Sequence, residues 1–170
     1  SITTRSLPDV YGGFGTSLRF YGVDFSIGFT YQLGGQVLDQ GYRFYMNSPA
    51  GTSTGNNYHH DLLNSWTPEN SGSNIPRFAY NDSNQAAVSD RFLTSASYLN
   101  IQNITLGYTL PKRITRKFLV ENLRIYLACD NVWYWSKRQG LDPRQSINGI
   151  TNPYYYAPIR TFSGGVTVTF

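Results

Sequence analysis

The residues from Arg160 to Phe170 alternate without interruption between apolar or small side chains and polar ones. One face of this segment carries Phe162, Gly164, Val166, Val168 and Phe170. A period of two residues is that of a β-strand with two chemically different faces. The segment is also as long as the roughly 9–11 residues with which a tilted strand crosses a bilayer. These residues therefore predict the closing strand of a transmembrane β-barrel.

The composition agrees with a barrel and disfavours a soluble enzyme. Only 14% of the residues are charged and 16% are aromatic, whereas soluble domains carry about 25% charged residues. No apolar run approaches the roughly 18 residues of a transmembrane helix. In a β-barrel the lipid-facing residues are spread over alternate positions, which matches this pattern.

The net charge of +4 does not predict a nucleic-acid partner. The basic residues cluster at 112–117 without interleaved aromatic rings, so we expect a solvated or membrane-flanking turn there. Cys129 is the one cysteine of the chain, which excludes a disulfide within it. We find no arrangement of residues for catalysis and no motif for a cofactor.

Four further segments show strand-like alternation. They are Gly12–Phe20, Val23–Leu33, Tyr98–Leu110 and Asn122–Trp135. The first two are separated by Tyr21 and Gly22 alone, which predicts a tight hairpin. In the third, Leu99 and Ile101 are out of phase with Ile104 and Leu106, which is expected if a β-bulge lies near Gln102–Asn103.

The connections between these segments alternate between short and long. The long ones span residues 34–97 and 136–159. Outer-membrane barrels have short periplasmic turns and long extracellular loops, so we expect both long loops to be extracellular and the C-terminus to be periplasmic. Aromatic residues near the strand ends predict two membrane-interface girdles, with Phe20 and Tyr108 at one end and Trp133 and Trp135 at the other.

Five antiparallel strands are too few for a closed membrane barrel, which has at least eight strands in bacterial single-chain examples. We therefore expect the chain to be part of a longer protein. Its start at Ser1 without a signal peptide is expected for either a mature product or a fragment. Two alternatives remain from the residues alone. One is a soluble β-sandwich that binds a glycan, and the other is a passive porin or an adhesin-type barrel.

Several motifs resemble the C-terminal part of SusC/RagA-type TonB-dependent transporters. They are the run Ser97–Pro111, the strand Asn122–Tyr126 that leads to Asp130–Asn131, the loop Gly140–Pro143, the terminus Pro158–Phe162 with Val166–Phe170, and the hairpin Leu7–Phe14 with Phe25–Gly34. Residues 40–91 have no counterpart in these motifs, and Arg144 stands where the family has an acid.

The resemblance implies that residues 1–170 form about five C-terminal antiparallel strands of an all-β, 22-stranded transmembrane barrel whose plug and earlier strands lie elsewhere. It implies import of oligosaccharides or peptides across the outer membrane of a Gram-negative bacterium. The implied partners are TonB, a SusD-like surface lipoprotein that caps the barrel, outer-membrane lipid and the rest of the transporter. Phe162, Val166, Val168 and Phe170 resemble the signal that the barrel-insertion machinery recognises.

The long loops carry aromatic residues that are candidate contacts for a ligand or for the lipoprotein. They are Tyr58, His59, Trp66, Tyr154, Tyr155 and Tyr156. Ordinary packing within the loops is the alternative interpretation. We expect a short helical turn at residues 61–66. We expect no metal site at His59 and His60, because adjacent side chains point apart in a strand.

Overall fold

The computed structural model describes residues 5–48, 57–82, 84–138, 140–145, 148–152, 154, 156 and 158–170. Its strands are β1 (Val10–Phe20), β2 (Val23–Leu33), β3 (Gln36–Leu38), β4 (Leu93–Ser95), β5 (Tyr98–Thr109), β6 (Asn122–Ser136) and β7 (Thr161–Thr169). The short helices are α1 (Gln40–Tyr45) and α2 (Lys112–Thr115), with 3₁₀ turns at His60–Asn64, Asp90–Phe92, Arg116–Phe118 and Pro143–Gln145. Among the described residues, no helix has both the length and the apolar character that a membrane span requires.

The long strands form one antiparallel sheet in the order β1-β2-β5-β6-β7. This confirms the predicted all-β fold with five antiparallel strands. Within the described part of the chain, β1 and β7 each pair on one side only, so closure into a barrel needs strands that lie outside this chain. The links at residues 21–22 and 110–121 lie at the same end of the sheet as Phe170, and both long loops leave the opposite end.

The register of the sheet aligns residues of like chemistry across all five strands. One row runs from Leu18 through Phe25, Leu106 and Leu127 to Gly164. The next row, on the other face, is Ser17, Ser26, Thr105, Ala128 and Ser163. Because side chains of successive rows point to opposite faces, the sheet has one apolar face and one polar face.

The predicted β-bulge is present. Ile101 pairs with Phe29 and Asn103 pairs with Gly28, so Gln102 is an extra residue in β5. On the other side, Ile101 pairs with Trp133 while Asn103 pairs with Asp130, and Asn131 in between has a φ of 51°. The extra residue shifts the phase of β5. As a result, the out-of-phase Ile101 lies in the apolar row of Phe29 and Trp133.

The β1–β2 hairpin turns through Tyr21 and Gly22, whose φ angles are 46° and 84°. Two central residues with positive φ are typical of the turns that join tightly paired strands. A Cβ atom at Gly22 would lie 2.6 Å from the carbonyl oxygen of Thr109. Glycine is therefore required at this position both by its backbone conformation and by the approach of β5.

The long loops contain regular secondary structure. Residues 34–97 include α1 and the β3–β4 ladder, and Leu38 in β3 forms a parallel bridge with Ile150 of the second loop. We call the described residues of 34–97 and 136–159 the loop layer. Its fully buried side chains include Val37, Met46, Phe92 and Asp142. The predicted helical turn at 61–66 corresponds to the 3₁₀ turn His60–Asn64.

Candidate functional site in the loop layer

Backbone hydrogen bonds join the two long loops. The Leu38 amide donates to the Gly149 carbonyl at 2.7 Å, and the Thr151 amide donates back to the Leu38 carbonyl at 3.1 Å. The Gln40 amide donates to Thr151 Oγ1 at 3.0 Å. The two long loops therefore form one hydrogen-bonded structural unit.

Asp39 connects the start of α1 to the second loop. Its side chain is buried, and its Oδ1 accepts the Tyr42 amide at 2.9 Å as the N-cap of α1. Arg138 Nη1 lies 3.3 Å from Asp39 Oδ2, and the Arg138 guanidinium lies 4.0 Å from the centre of the Tyr42 ring. A buried carboxylate is therefore matched by a cation that also stacks on an aromatic ring.

Tyr42 extends this network to the 3₁₀ turn His60–Asn64. Its hydroxyl donates to Asp61 Oδ2 at 2.8 Å, and its ring meets the His59 ring edge-on at 4.7 Å. Burial and the hydrogen bond to Asp61 raise the pKa of Tyr42 to about 12. The hydroxyl consequently keeps its proton, and its role as donor to Asp61, at any physiological pH.

A cleft of about 470 Å³ opens where α1 faces the second loop. Its wall includes Gln40, Arg43, Phe44, Asn47, Ile150 and Asn152. Arg43 donates from Nε to the Ala86 carbonyl at 2.7 Å and from Nη1 to Gln40 Oε1 at 2.9 Å. Among the described residues, Arg43 forms no ion pair with a carboxylate. Carboxamides, a guanidinium and an exposed ring offer hydrogen bonds and a stacking surface for a polar ligand.

Arg144, the residue that stands in place of an acid in the loop motif, has a hydrogen-bond partner in its own loop. Its Nε and Nη2 donate to the two oxygens of Asp142 at 2.8 and 2.6 Å, and its amide donates to Oδ1 at 3.0 Å. The hydrogen bond to Asp142 raises the pKa of Arg144. Since Asp142 is fully buried, Arg144 compensates a carboxylate that would otherwise be unpaired.

The candidate contact residues have different surroundings. Tyr58 packs edge-on against Phe78 at 5.6 Å, and Trp66 is partly exposed with its amide bonded to the Ile75 carbonyl. Tyr154 is 76% exposed and contacts Phe44, which lines the cleft. Tyr156 is 96% exposed, and Tyr155 lies outside the described residues. Contact with a ligand or a lipoprotein stays a prediction for all of them.

The strand geometry that was assumed for the two histidines is wrong. His59 is the N-cap of a 3₁₀ turn and not part of a strand. The His59 and His60 rings lie 4.7 Å apart, and Asp61 lies beside both. Adjacent side chains can therefore converge here.

The predicted assembly signal and the girdles map onto the sheet. Phe162, Val166 and Val168 are exposed on β7, and Phe170 follows the strand with 88% exposure. Phe20 and Tyr108 lie near the end of the short links, whereas Trp133 and Trp135 lie near the loop layer. Their roles in assembly and at the membrane interface stay predictions.

Sequence reasoning missed Asp39, Tyr42, Arg43 and Arg138. None of them lies in an alternating segment, and the partners of Tyr42, Arg43 and Arg138 include residues 19, 43 and 99 positions away along the chain. The Ser/Thr/Asn/Asp preference for N-caps is the one local signal that could have identified Asp39.

Comparison with known proteins gives a consistent result. No protein-family model matches the chain. A TonB-dependent receptor of Formosa agariphila is 26% identical over 173 residues, which cover 96% of this chain and 16% of the receptor. The TonB-dependent receptor SusC of Bacteroides thetaiotaomicron is 28% identical over 171 residues, covering 99% of this chain and 16% of SusC. The chain thus spans about one sixth of the length of the curated relatives it matches.

Solved structures agree with the sequence relatives. The structure of the RagAB peptide transporter matches with a TM-score of 0.79 and 25% identity over 97% of this chain and 18% of the matched chain. The RagAB peptide importer in the 'closed-closed' state gives the same TM-score at 23% identity, again over 97% of this chain and 18% of that chain. The resemblance predicted from the sequence is thereby confirmed: nearly the whole chain is similar in sequence to a stretch of TonB-dependent receptors, SusC among them, and similar in structure to a part of the RagAB transporter.

Proposed function

We propose that this chain is the C-terminal portion of the barrel wall, with its extracellular loops, of an active outer-membrane importer of the SusC/RagA type. The register of the sheet carries the proposal. It lines up apolar residues on one face of all five strands and polar residues on the other, as expected for a wall between lipid and an aqueous lumen.

The apolar face would contact lipid and the polar face would contact cargo or a plug. Strand β5 has 12 residues, which is enough for the roughly 9–11 residues with which a tilted strand crosses a bilayer. Tyr108 lies near one end of β5, and Leu99, near the other end, pairs with Trp135. Aromatic residues at both ends are typical of the two membrane interfaces.

The short links would face the periplasm together with the C-terminus, and residues 34–97 and 136–159 would be extracellular. The cleft beside Arg43 would then be open to incoming oligosaccharides or peptides. We further propose that a SusD-like lipoprotein contacts the loop layer and that TonB supplies energy through a segment of the parent protein beyond this chain. The relatives are named as receptors and importers, which supports transport rather than enzymatic activity.

The two alternative functions differ from the proposed one in the fold or in the energy source that they require. A soluble β-sandwich needs two sheets packed face to face, but the described residues contain one five-stranded sheet and one short β3–β4 ladder. A passive porin would have the same kind of barrel wall. An importer differs from it in its need for an energy source.

Uptake by cells that express the full-length parent tests the proposal. We expect uptake of labelled oligosaccharides or peptides to stop when the proton gradient is dissipated or TonB is deleted. Uptake that continues at the same rate would support the passive porin instead. Recovery of the parent as a soluble monomer without detergent would contradict a membrane barrel altogether.

The terminal strand gives a separate test of assembly. Removing Phe170 from the full-length parent should lower its level in the outer membrane, because the exposed terminal ring and edge of β7 are what a strand-adding machinery would bind. Thr169→Ala, one residue away on the polar face, is the matched control and should leave the level unchanged. Equal surface levels for both variants would refute the assembly role.

A further inference from the structure

We propose that His59, His60 and Asp61 bind a divalent transition-metal ion of the Zn²⁺ type in the loop layer. These are the two histidines of the chain, and they adjoin the carboxylate in sequence. One ligand atom from each of the three residues lies within 4.8 Å of the others. This proposal does not depend on the transport function.

The distances are close to those of a coordination shell. With bonds of 2.0–2.1 Å, neighbouring ligand atoms around a tetrahedral Zn²⁺ lie about 3.3 Å apart. His59 Nδ1 lies 3.5 Å from Asp61 Oδ2, and His60 Nε2 lies 3.0 Å from Asp61 Oδ1. The whole group spans no more than 4.8 Å. The His60 side chain is 80% exposed, so little packing opposes a rotation of its imidazole that closes the shell.

Surrounding groups hold the other two ligands in place. The Tyr42 hydroxyl donates to Asp61 Oδ2 at 2.8 Å, and the Tyr42 ring packs edge-on against His59. The His59 amide donates to the Tyr45 carbonyl at 2.9 Å. Partners of this kind orient metal ligands, and their loss commonly weakens metal affinity 10–100-fold.

Metal binding would replace two existing interactions, one of which is the 3.0 Å contact between His60 Nε2 and Asp61 Oδ1. His59 Nδ1 accepts the Asp61 amide at 3.2 Å, which is long for such a hydrogen bond. Both residues are about one-third exposed, so water can satisfy the released amide and fill the remaining coordination position. Two imidazoles with one carboxylate favour Zn²⁺, Cu²⁺ or Ni²⁺ over Ca²⁺ or Mg²⁺, which prefer shells made only of oxygen.

The ion would fix the 3₁₀ turn His60–Asn64 against α1. Asp61 is bonded to Tyr42, and Tyr42 is stacked under Arg138 of the second loop. The bound metal would therefore stabilise the junction between the two loops, in addition to binding three neighbouring side chains.

Titration of the metal-stripped full-length parent in detergent with Zn²⁺ tests the proposal. We expect one equivalent of Zn²⁺ to be lost in the double variant His59→Asn/His60→Asn and in Asp61→Asn. Tyr42→Phe should retain the equivalent but bind it on the order of 10-fold more weakly. Glu69→Gln, an exposed acid of the same loop, is the matched control and should bind as the unaltered protein does.

Spectroscopy supplies the second readout. Cu²⁺ loaded in place of Zn²⁺ should show imidazole nitrogen coupling by electron paramagnetic resonance, and this signal should be lost in the double histidine variant. An unchanged circular dichroism spectrum would establish that the variants are folded. Equal stoichiometry and affinity for the unaltered protein and the double variant would overturn the proposal, as would a Cu²⁺ signal that persists without both histidines.

Discussion

The sheet and the loop layer differ in how far their apolar side chains are buried. In the sheet, Leu18 and Leu127 are 63% and 65% exposed. In the loop layer, Met46 and Phe92 are completely buried. The loop layer therefore has a core of its own, whereas the apolar face of the sheet is left uncovered, and the lipid contact proposed above would remove that face from water.

Both regions contain an ion pair between distant parts of the chain, but the settings differ. In the sheet, Arg124 and Asp24 meet above Gly107 at 2.5 Å. In the loop layer, Arg138 meets Asp39, which is only 5% exposed. A Cβ at Gly107 would intrude on the first pair, so glycine in β5 allows β2 and β6 to be linked across it. The second pair compensates a buried charge.

The largest effect is expected from Phe92→Ala in the loop layer. Loss of a fully buried phenyl ring should lower the local stability of this region by about 3–5 kcal/mol, measured as faster amide hydrogen exchange in residues 34–97 of the full-length parent. Phe78→Ala removes the same ring from a position that is 41% exposed and should cost less. If amide exchange in the sheet became faster to the same extent, the two regions would not unfold independently.

A charge in the middle of the sheet should have the next largest effect. Ile27→Arg places a cation on the apolar face of β2 and should destabilise the folded parent in lipid by about 2–4 kcal/mol, measured by denaturant unfolding. Ser26→Arg places the same charge one residue away on the polar face and should be tolerated. A reversed order of the two variants would show that the apolar face is not the lipid face.

The smallest of the three effects should come from Arg138→Ala. The Asp39 carboxylate would lose a charged hydrogen-bond partner, which typically costs about 1.5–3 kcal/mol. Protease digestion of the loops in the folded parent would detect the loosened junction. Lys137→Ala changes an exposed neighbouring cation and should leave the digestion pattern unchanged. Equal digestion of both variants would mean that Asp39 does not depend on Arg138.

The sheet could be predicted from the sequence because its faces repeat every two residues. Strand β2 was predicted with both of its observed ends, and even the bulge was visible as a phase slip before Gln102. The loop layer has no comparable pattern. Phe92 is far in sequence from Val37 and Met46, and α1 is too short for helical periodicity to identify it. The local structure at His59 and His60 was also not predictable from a sequence pattern, and the strand geometry assumed for them was wrong.

The bulge has a consequence for how the protein can vary in length. Gln102 is the extra residue between the pairs Phe29–Ile101 and Gly28–Asn103, so its deletion would leave Leu99 and Ile101 on the apolar face beside β2. A single deletion elsewhere in β5 shifts the phase instead and would move the residues on one side of it to the opposite face. Such a deletion would be more damaging than the loss of several exposed residues at 67–74, where backbone bonds are local. Within β5, length changes should therefore be tolerated at the bulge and rare elsewhere.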